Sequence, residues 1–178
     1  MKDPRAALRE FFDSRTVERL AGHEEAVASL DKLDLEGLPS LRLAVLRTVT
    51  VEPLDAYLRV AGYRAGLQIG LTLHNLGEVE TLALDGDSLL YQEPPDAVLV
   101  LLNLESVAPQ LVNRFTELDD ESLEAALDGL ETRILGLADG IARHSGALIL
   151  ISNFQLPVRP SWGILGPPGG SVTLEENT

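Results

Sequence analysis

The 178-residue sequence contains no cysteine. That excludes a disulfide frame, a thiolate zinc site and a cysteine nucleophile. It also fits a reducing compartment, and a cytoplasmic location is the expectation. Aromatic residues are only 4% of the chain, against 45% hydrophobic residues in all, so the core must be mostly aliphatic. Basic residues are scarce, 14 against 28 acidic, for a net charge of −14. A surface this acidic repels phosphate backbones and anionic lipid. Neither nucleic acid nor a membrane surface is an expected partner. No run reaches the roughly 18 apolar residues that a membrane span needs. The opening stretch, MKDPRAALREFFDSR, is charged throughout and lacks the apolar core of a secretory signal.

The charge that is present is unevenly placed. Residues 41–75 carry four basic and two acidic side chains, whereas residues 76–135 carry two basic and fourteen acidic ones. Arg42, Arg47, Arg59 and Arg64 make 41–75 the net basic portion, so an anionic ligand or partner is drawn there. Arginines scattered over a solvated surface are the plainer alternative.

The same portion has the clearest local pattern. Leu43–Leu46 is a short apolar run suited to a strand buried on both faces. Arg47, Thr48, Val49 and Thr50 turn polar, and Pro53 stands where a first helical turn tolerates it. Leu54, Tyr57, Leu58, Ala61 and Ala65 follow at helical steps. Gly66 marks the stop and Leu67–Leu73 a second strand. Strand, loop, helix and strand form a βαβ unit, whose ligands bind at the carboxyl ends of the strands. Arg47 to Glu52 is therefore the first place to look for function.

Residues 1–40 read as a helical lead-in, with a break expected at Gly22–His23 and a linker over Asp34–Ser40. His23, in the charged run GHEEA, reads as solvated. Val79 to Leu90 predicts one or two short helices broken at Asp85–Gly86–Asp87, a turn that lacks the further ligands of a calcium loop. Ala97–Leu104 is the strongest strand and belongs at the centre of a parallel sheet. Asp119–His144 is the best helix: Leu123, Leu127, Leu130, Ile134, Leu137 and Ile141 step by four and three along one stripe. Acids open it, while Arg143 and His144 close it, as the helix dipole favours. Gly129, Gly136 and Gly140 weaken it, and close packing is the expected reason for all three. Ala147–Ile151 is a fourth strand, ending in Ser152–Asn153–Phe154. The proline-rich stretch that follows offers no convincing fifth strand, which predicts a domain cut short. The expected fold is α/β, a three-layer sandwich on a mainly parallel sheet, preceded by N-terminal helices.

Three segments carry a family resemblance: RTVTVEPLDAYLRVAGYRAGLQIGL, DGDSLLYQEPPDAVLVLLNLE and ALILISNFQLPVRPSWGILGP. T-x-E-P-L after the first strand, S-x-L-Y before P-D-A-V, and N-F-x-L-P with a later G-I-L occur in order over residues 41 to about 170. In this the chain resembles the N-terminal region of FkbH-like proteins. The resemblance implies an SGNH-hydrolase-like, flavodoxin-like domain over 41–178. It also implies a following haloacid-dehalogenase-type domain that uses Mg, and the loading of a glyceryl-type unit onto an acyl carrier protein. The implied partners are that carrier protein or a small acyl or phosphoglyceryl substrate. No aspartate motif of the D-x-D-x-T kind occurs here, so no cofactor is expected in this chain.

Carried onto this sequence, the SGNH-like fold places Thr48 and Thr50 at the nucleophile edge and Asn103 at the oxyanion edge. Asn153 lies at the next strand end. Arg47, Asn153, Arg59 and Arg64 are the candidate substrate- or partner-binding residues. The family's G-D-S block and D-x-x-H pair are absent, which puts catalysis by this chain alone in doubt. Thr50 as a helix cap, and Asn103 and Asn153 as loop hydrogen-bonders, are the structural alternatives. An SGNH-like esterase or acyltransferase whose Asp and His lie outside these residues, or a non-catalytic interaction module, are the other functional ones.

Overall fold

The computed structural model describes residues 3–17 and 19–154. Four parallel strands, β1 (Ser40–Arg47), β2 (Gln68–Leu73), β3 (Ala97–Leu101) and β4 (Leu148–Ile151), lie in the order β2-β1-β3-β4. The register aligns Val45 with Leu73 of β2 and with Leu99 of β3. The chain leaves β1 toward one side for β2, then crosses back beyond it to β3 and β4. Right-handed crossovers therefore put the connecting helices on opposite faces. The result is an α/β fold with helices on both sides of an all-parallel sheet.

Helix α3 (Leu54–Arg64) covers β1 and β2 on one face. Leu43, Val45 and Ala97 are buried there, with Leu58, Ile69 and Leu71 packed against them. The other face holds the larger core under α4 (Val79–Leu84), α5 (Leu89–Gln92), α6 (Leu104–Val107), α7 (Pro109–Asn113) and α8 (Asp120–His144). Leu46, Val98, Val100, Leu137 and Ile141 are almost wholly enclosed. Each such aliphatic side chain contributes about 1.5–3 kcal/mol of burial. Leu148 and Leu150, on the α3 side of β4, are exposed, because α3 stands over the other half of the sheet.

α8 forms as its stripe predicts. Asp119 caps it by accepting the backbone N–H of Ser122 at 2.8 Å, and Asp120 and Glu121 meet the positive end of its dipole. Of its three glycines, only Gly140 is explained by close packing: a Cβ there would stand 2.8 Å from the carbonyl oxygen of Ala83 on α4. Gly129 and Gly136 meet nothing within 4 Å, contrary to expectation. Gly66, at φ +72, ends α3 as predicted.

Other expectations need correction. The N-terminal helices α1 (Pro4–Asp13) and α2 (Leu20–Leu30) part before Leu20, and α2 runs through Gly22 and His23. His23 is buried, not solvated: it shares a helix face with Ala26, Val27 and Leu30, and its ring lies 4.1 Å from that of Tyr57. The buried positions of α3 are Ala56, Val60, Gly62 and Tyr63, whereas Tyr57, Ala61 and Ala65 are exposed. Two neighbours compete for this helix. Leu58 faces the sheet, while Val60 and Tyr63 face a separate core built with Leu8, Val27 and Leu30 of α1 and α2. β3 ends at Leu101, three residues early, because Asn103 caps α6 instead of extending the strand. No helix among the described residues is long and apolar enough to cross a membrane.

Candidate functional site

The order β2-β1-β3-β4 reverses direction between β1 and β3, so the carboxyl ends of these two strands border the crevice where such folds hold ligands. Two residues supply its walls. The backbone N–H of Thr48 donates to the Leu101 carbonyl at 2.9 Å, and Thr48 Oγ1 accepts the backbone N–H of Asn103 at 2.7 Å. The Asn103 Oδ1 in turn accepts the N–H of Glu105 at 2.7 Å. The carboxamide is thus turned by its capping role, with Nδ2 left as a donor. The Thr48 hydroxyl also keeps its proton for a further acceptor, since its oxygen is the accepting partner toward Asn103.

Arg47 faces the other way. Its Nε donates to the carbonyl of His74, at the end of β2, at 3.0 Å, and its Nη1 donates to Glu52 Oε1 at 2.8 Å. The side chain is buried apart from this contact, while Glu52 is exposed. Hydrogen bonding from Arg47 holds the Glu52 carboxyl below the usual carboxylate range. Nη2 of Arg47 has no partner among the described residues. Burial pushes the His74 imidazole below its ordinary value, opposed by Glu78. The neutral ring is therefore favoured. His74 carries no role in the sequence reading, and Glu52 enters it only as the end of the Arg47–Glu52 loop and within T-x-E-P-L. The signal for His74 is its position at the end of a parallel strand.

The remaining candidates lie elsewhere. Thr50 is exposed and does not cap α3, whose N-cap is Pro53. The loop needs no side-chain cap here, because Leu54 N–H bonds Val51 O and Asp55 N–H bonds Glu52 O. Asn153 is exposed two residues beyond β4. Arg59 binds both carboxylate oxygens of Asp31, at 2.7 and 2.8 Å, and so ties α3 to the end of α2. Arg64 is exposed at the far end of α3, over the ring of Phe12. The structure therefore places Thr48 beside Asn103, and sets Arg59 and Arg64 apart from the crevice.

No hydrogen bond from His, Asp or Glu reaches the Thr48 hydroxyl among the described residues, so nothing there activates it as a nucleophile. Nor do the described residues bring three or more His, Asp or Glu side chains together as metal ligands.

No family model matches the sequence, and no curated protein matches it. Among solved structures the fold is similar to the N-terminal part of the protein BF1531 from Bacteroides fragilis, which contains a phosphatase domain and was solved complexed with Mg. The TM-score is 0.56 at 19% identity, over 75% of this chain. The chain spans about a third, 34%, of that structure's chain. At this identity the likeness shows a shared fold.

Proposed function

We propose that this chain is the SGNH-like N-terminal portion of an FkbH-like enzyme of the haloacid-dehalogenase type. In this reading, residues 41–178 are the SGNH-like domain and residues 1–40 its helical lead-in. The domain holds a substrate, or a group carried on an acyl carrier protein, for a phosphotransfer domain whose aspartate motif this sequence does not contain. Any Mg belongs to that other domain. The single observation that carries the reading is the bond from the Asn103 backbone N–H to Thr48 Oγ1, which brings two polar side chains together at the strand switch, where folds of this kind hold ligands. A likeness in fold to the front of a phosphatase-domain protein is compatible with that place in a longer enzyme.

The chemistry asked of these residues is binding. Thr48 Oγ1–H and Asn103 Nδ2 donate to the oxygens of a carboxylate or phosphate. Arg47 faces away from this pair, and with its charge met by Glu52 its part is to tie the loop after β1 to the end of β2. Titration calorimetry of the chain with phosphoglycerate, and separately with an acyl carrier protein, tests the proposal. Saturable heat with either supports it, and none with either removes it.

An SGNH-like esterase or acyltransferase is the second reading, favoured only by the position of Thr48 at the nucleophile edge. It requires turnover of a simple aryl ester that Thr48→Ala or Thr50→Ala abolishes. The expected result is no turnover, because the threonine has no base bonded to it.

A further inference from the structure

Where α3 ends and the chain turns into β2, a groove of about 480 Å³ lies between α1 and the carboxyl end of α3. Leu8, Phe12 and Tyr63 form its apolar floor, and Arg5, Arg9 and Arg64 stand around it. Arg5 and Arg9 are one turn apart on α1, so both point the same way. Arg64 comes from the last turn of α3 and lies 5.2 Å from the Phe12 ring centroid. All three arginines are exposed.

Their clustering over one apolar floor sets them apart. Arg42, Arg47, Arg59, Arg114 and Arg133 each hold a carboxylate. Among the described residues, Arg5, Arg9 and Arg64 hold none, which is also true of Arg15, Arg19 and Arg143, but only these three line one groove together, with Asp13 beside them. In a chain of net charge −14, three unpaired guanidinium groups over an apolar floor make a local reversal of sign. Such a surface attracts what the rest of the molecule repels.

We infer that this groove docks an acidic amphipathic helix of a partner protein. The partner's apolar side chains lie on Leu8, Phe12 and Tyr63, and its carboxylates meet Arg5, Arg9 and Arg64. Guanidinium forks suit carboxylates bidentately, and the Phe12 ring keeps the Arg64 plane presented. Arg59 is not part of this surface, since Asp31 already occupies it. The inference goes beyond the crevice reading and does not depend on it, because the two sites are at opposite ends of α3.

Fluorescence anisotropy on the full chain tests it, with a labelled amphipathic helical peptide built of Leu and Glu as the probe. A Leu and Lys peptide of the same pattern serves as the control. The acidic peptide should bind saturably, more weakly as salt rises, and the basic one should not show this groove-dependent binding. Arg9→Glu with Arg64→Glu should weaken binding by about tenfold or more, while Arg114→Glu with Arg143→Glu, an equal change of net charge elsewhere, should not. Arg9→Lys with Arg64→Lys keeps the charge but loses the guanidinium forks, so it should bind more weakly than the unaltered chain and more tightly than the charge-reversed double, and it shows that the positions tolerate change. Equal losses in the two charge-reversed doubles would overturn the inference. So would absence of saturable binding to the unaltered chain, or arginine-dependent binding of anionic phospholipid vesicles without binding of the peptide.

Discussion

Thr48 Oγ1 accepts the backbone N–H of Asn103 at 2.7 Å, a bond between residues 55 apart in sequence that joins the ends of the two central strands. It joins the two loops that leave β1 and β3 and satisfies the second N–H beyond β3. Thr48→Val keeps the shape of the side chain and removes the acceptor, leaving that N–H without its partner. The expected loss is about 1 kcal/mol by urea denaturation, with Thr48→Ser close to the unaltered chain. No loss in the valine variant would mean that the bond contributes nothing to closing the crevice.

At the amino end of the same two strands, Asp96 accepts the backbone N–H of Arg42 at 2.8 Å and its guanidinium at 2.9 and 3.1 Å. These bonds hold its carboxyl at about 2, below the ordinary 3.8. A carboxyl depressed in the folded state stabilises above its unfolded value, and that contribution is lost as pH falls through the folded value. Melting temperatures of Asp96→Asn should therefore lie below those of the unaltered chain at neutral pH. The difference should shrink between about pH 4 and pH 2. A constant difference across that window would show that ionisation of Asp96 is not what matters.

The glycines of α8 should answer alanine with opposite signs. At Gly140 the added methyl meets backbone of α4, which cannot step aside cheaply, so Gly140→Ala should cost about 1–3 kcal/mol. Gly129→Ala and Gly136→Ala, in open space, should each stabilise by about 0.5–1 kcal/mol through helix propensity alone. Chemical denaturation of the three variants decides it. A stabilised Gly140→Ala would remove the α4–α8 contact from the account.

Asp31 collects two donors from α3, the Arg59 guanidinium and the Tyr63 hydroxyl at 2.9 Å. Asp31→Asn should loosen α2, read as faster amide hydrogen exchange from Ala26 to Leu30 with little change in β1 and β3. Reversing the charge of Arg59 should do the same. That variant thus reports how α2 is held more directly than how a partner docks. Unchanged exchange in α2 would show that apolar contact alone fixes it.

What could be read from the sequence followed periodicity and punctuation. β1, α3 and β2 appear where Leu43–Leu46, Pro53 and Gly66 mark them, and the stripe of α8 names its own face. Faces contested by two neighbours were not legible. The spacing of Leu54, Tyr57 and Leu58 says that α3 is amphipathic, but not that α2 takes the side bearing Val60 and Tyr63. His23 was misread for the same reason, since its polar neighbours hide a helix face that only Tyr57, 34 residues on, completes. Composition placed Arg59 and Arg64 together as basic, whereas the fold gives one to Asp31 and leaves the other at a groove. Thr48 and Asn103 were nameable as strand-end residues, and their bond was not, because nothing local connects them. The segment after Phe154, with N-F-x-L-P, G-I-L and the expected end of the domain, lies outside the described residues.

The central claim is that the switch between β1 and β3 is where a small anionic ligand sits. The most direct measurement is a nitrogen-15 amide spectrum of the whole chain titrated with phosphoglycerate. The account predicts saturable shifts confined to Thr48, Leu102, Asn103 and Glu105, weakened in Thr48→Val. Shifts centred on Arg9, Arg64 and Gly66 instead, or no saturable shifts at all, would contradict it.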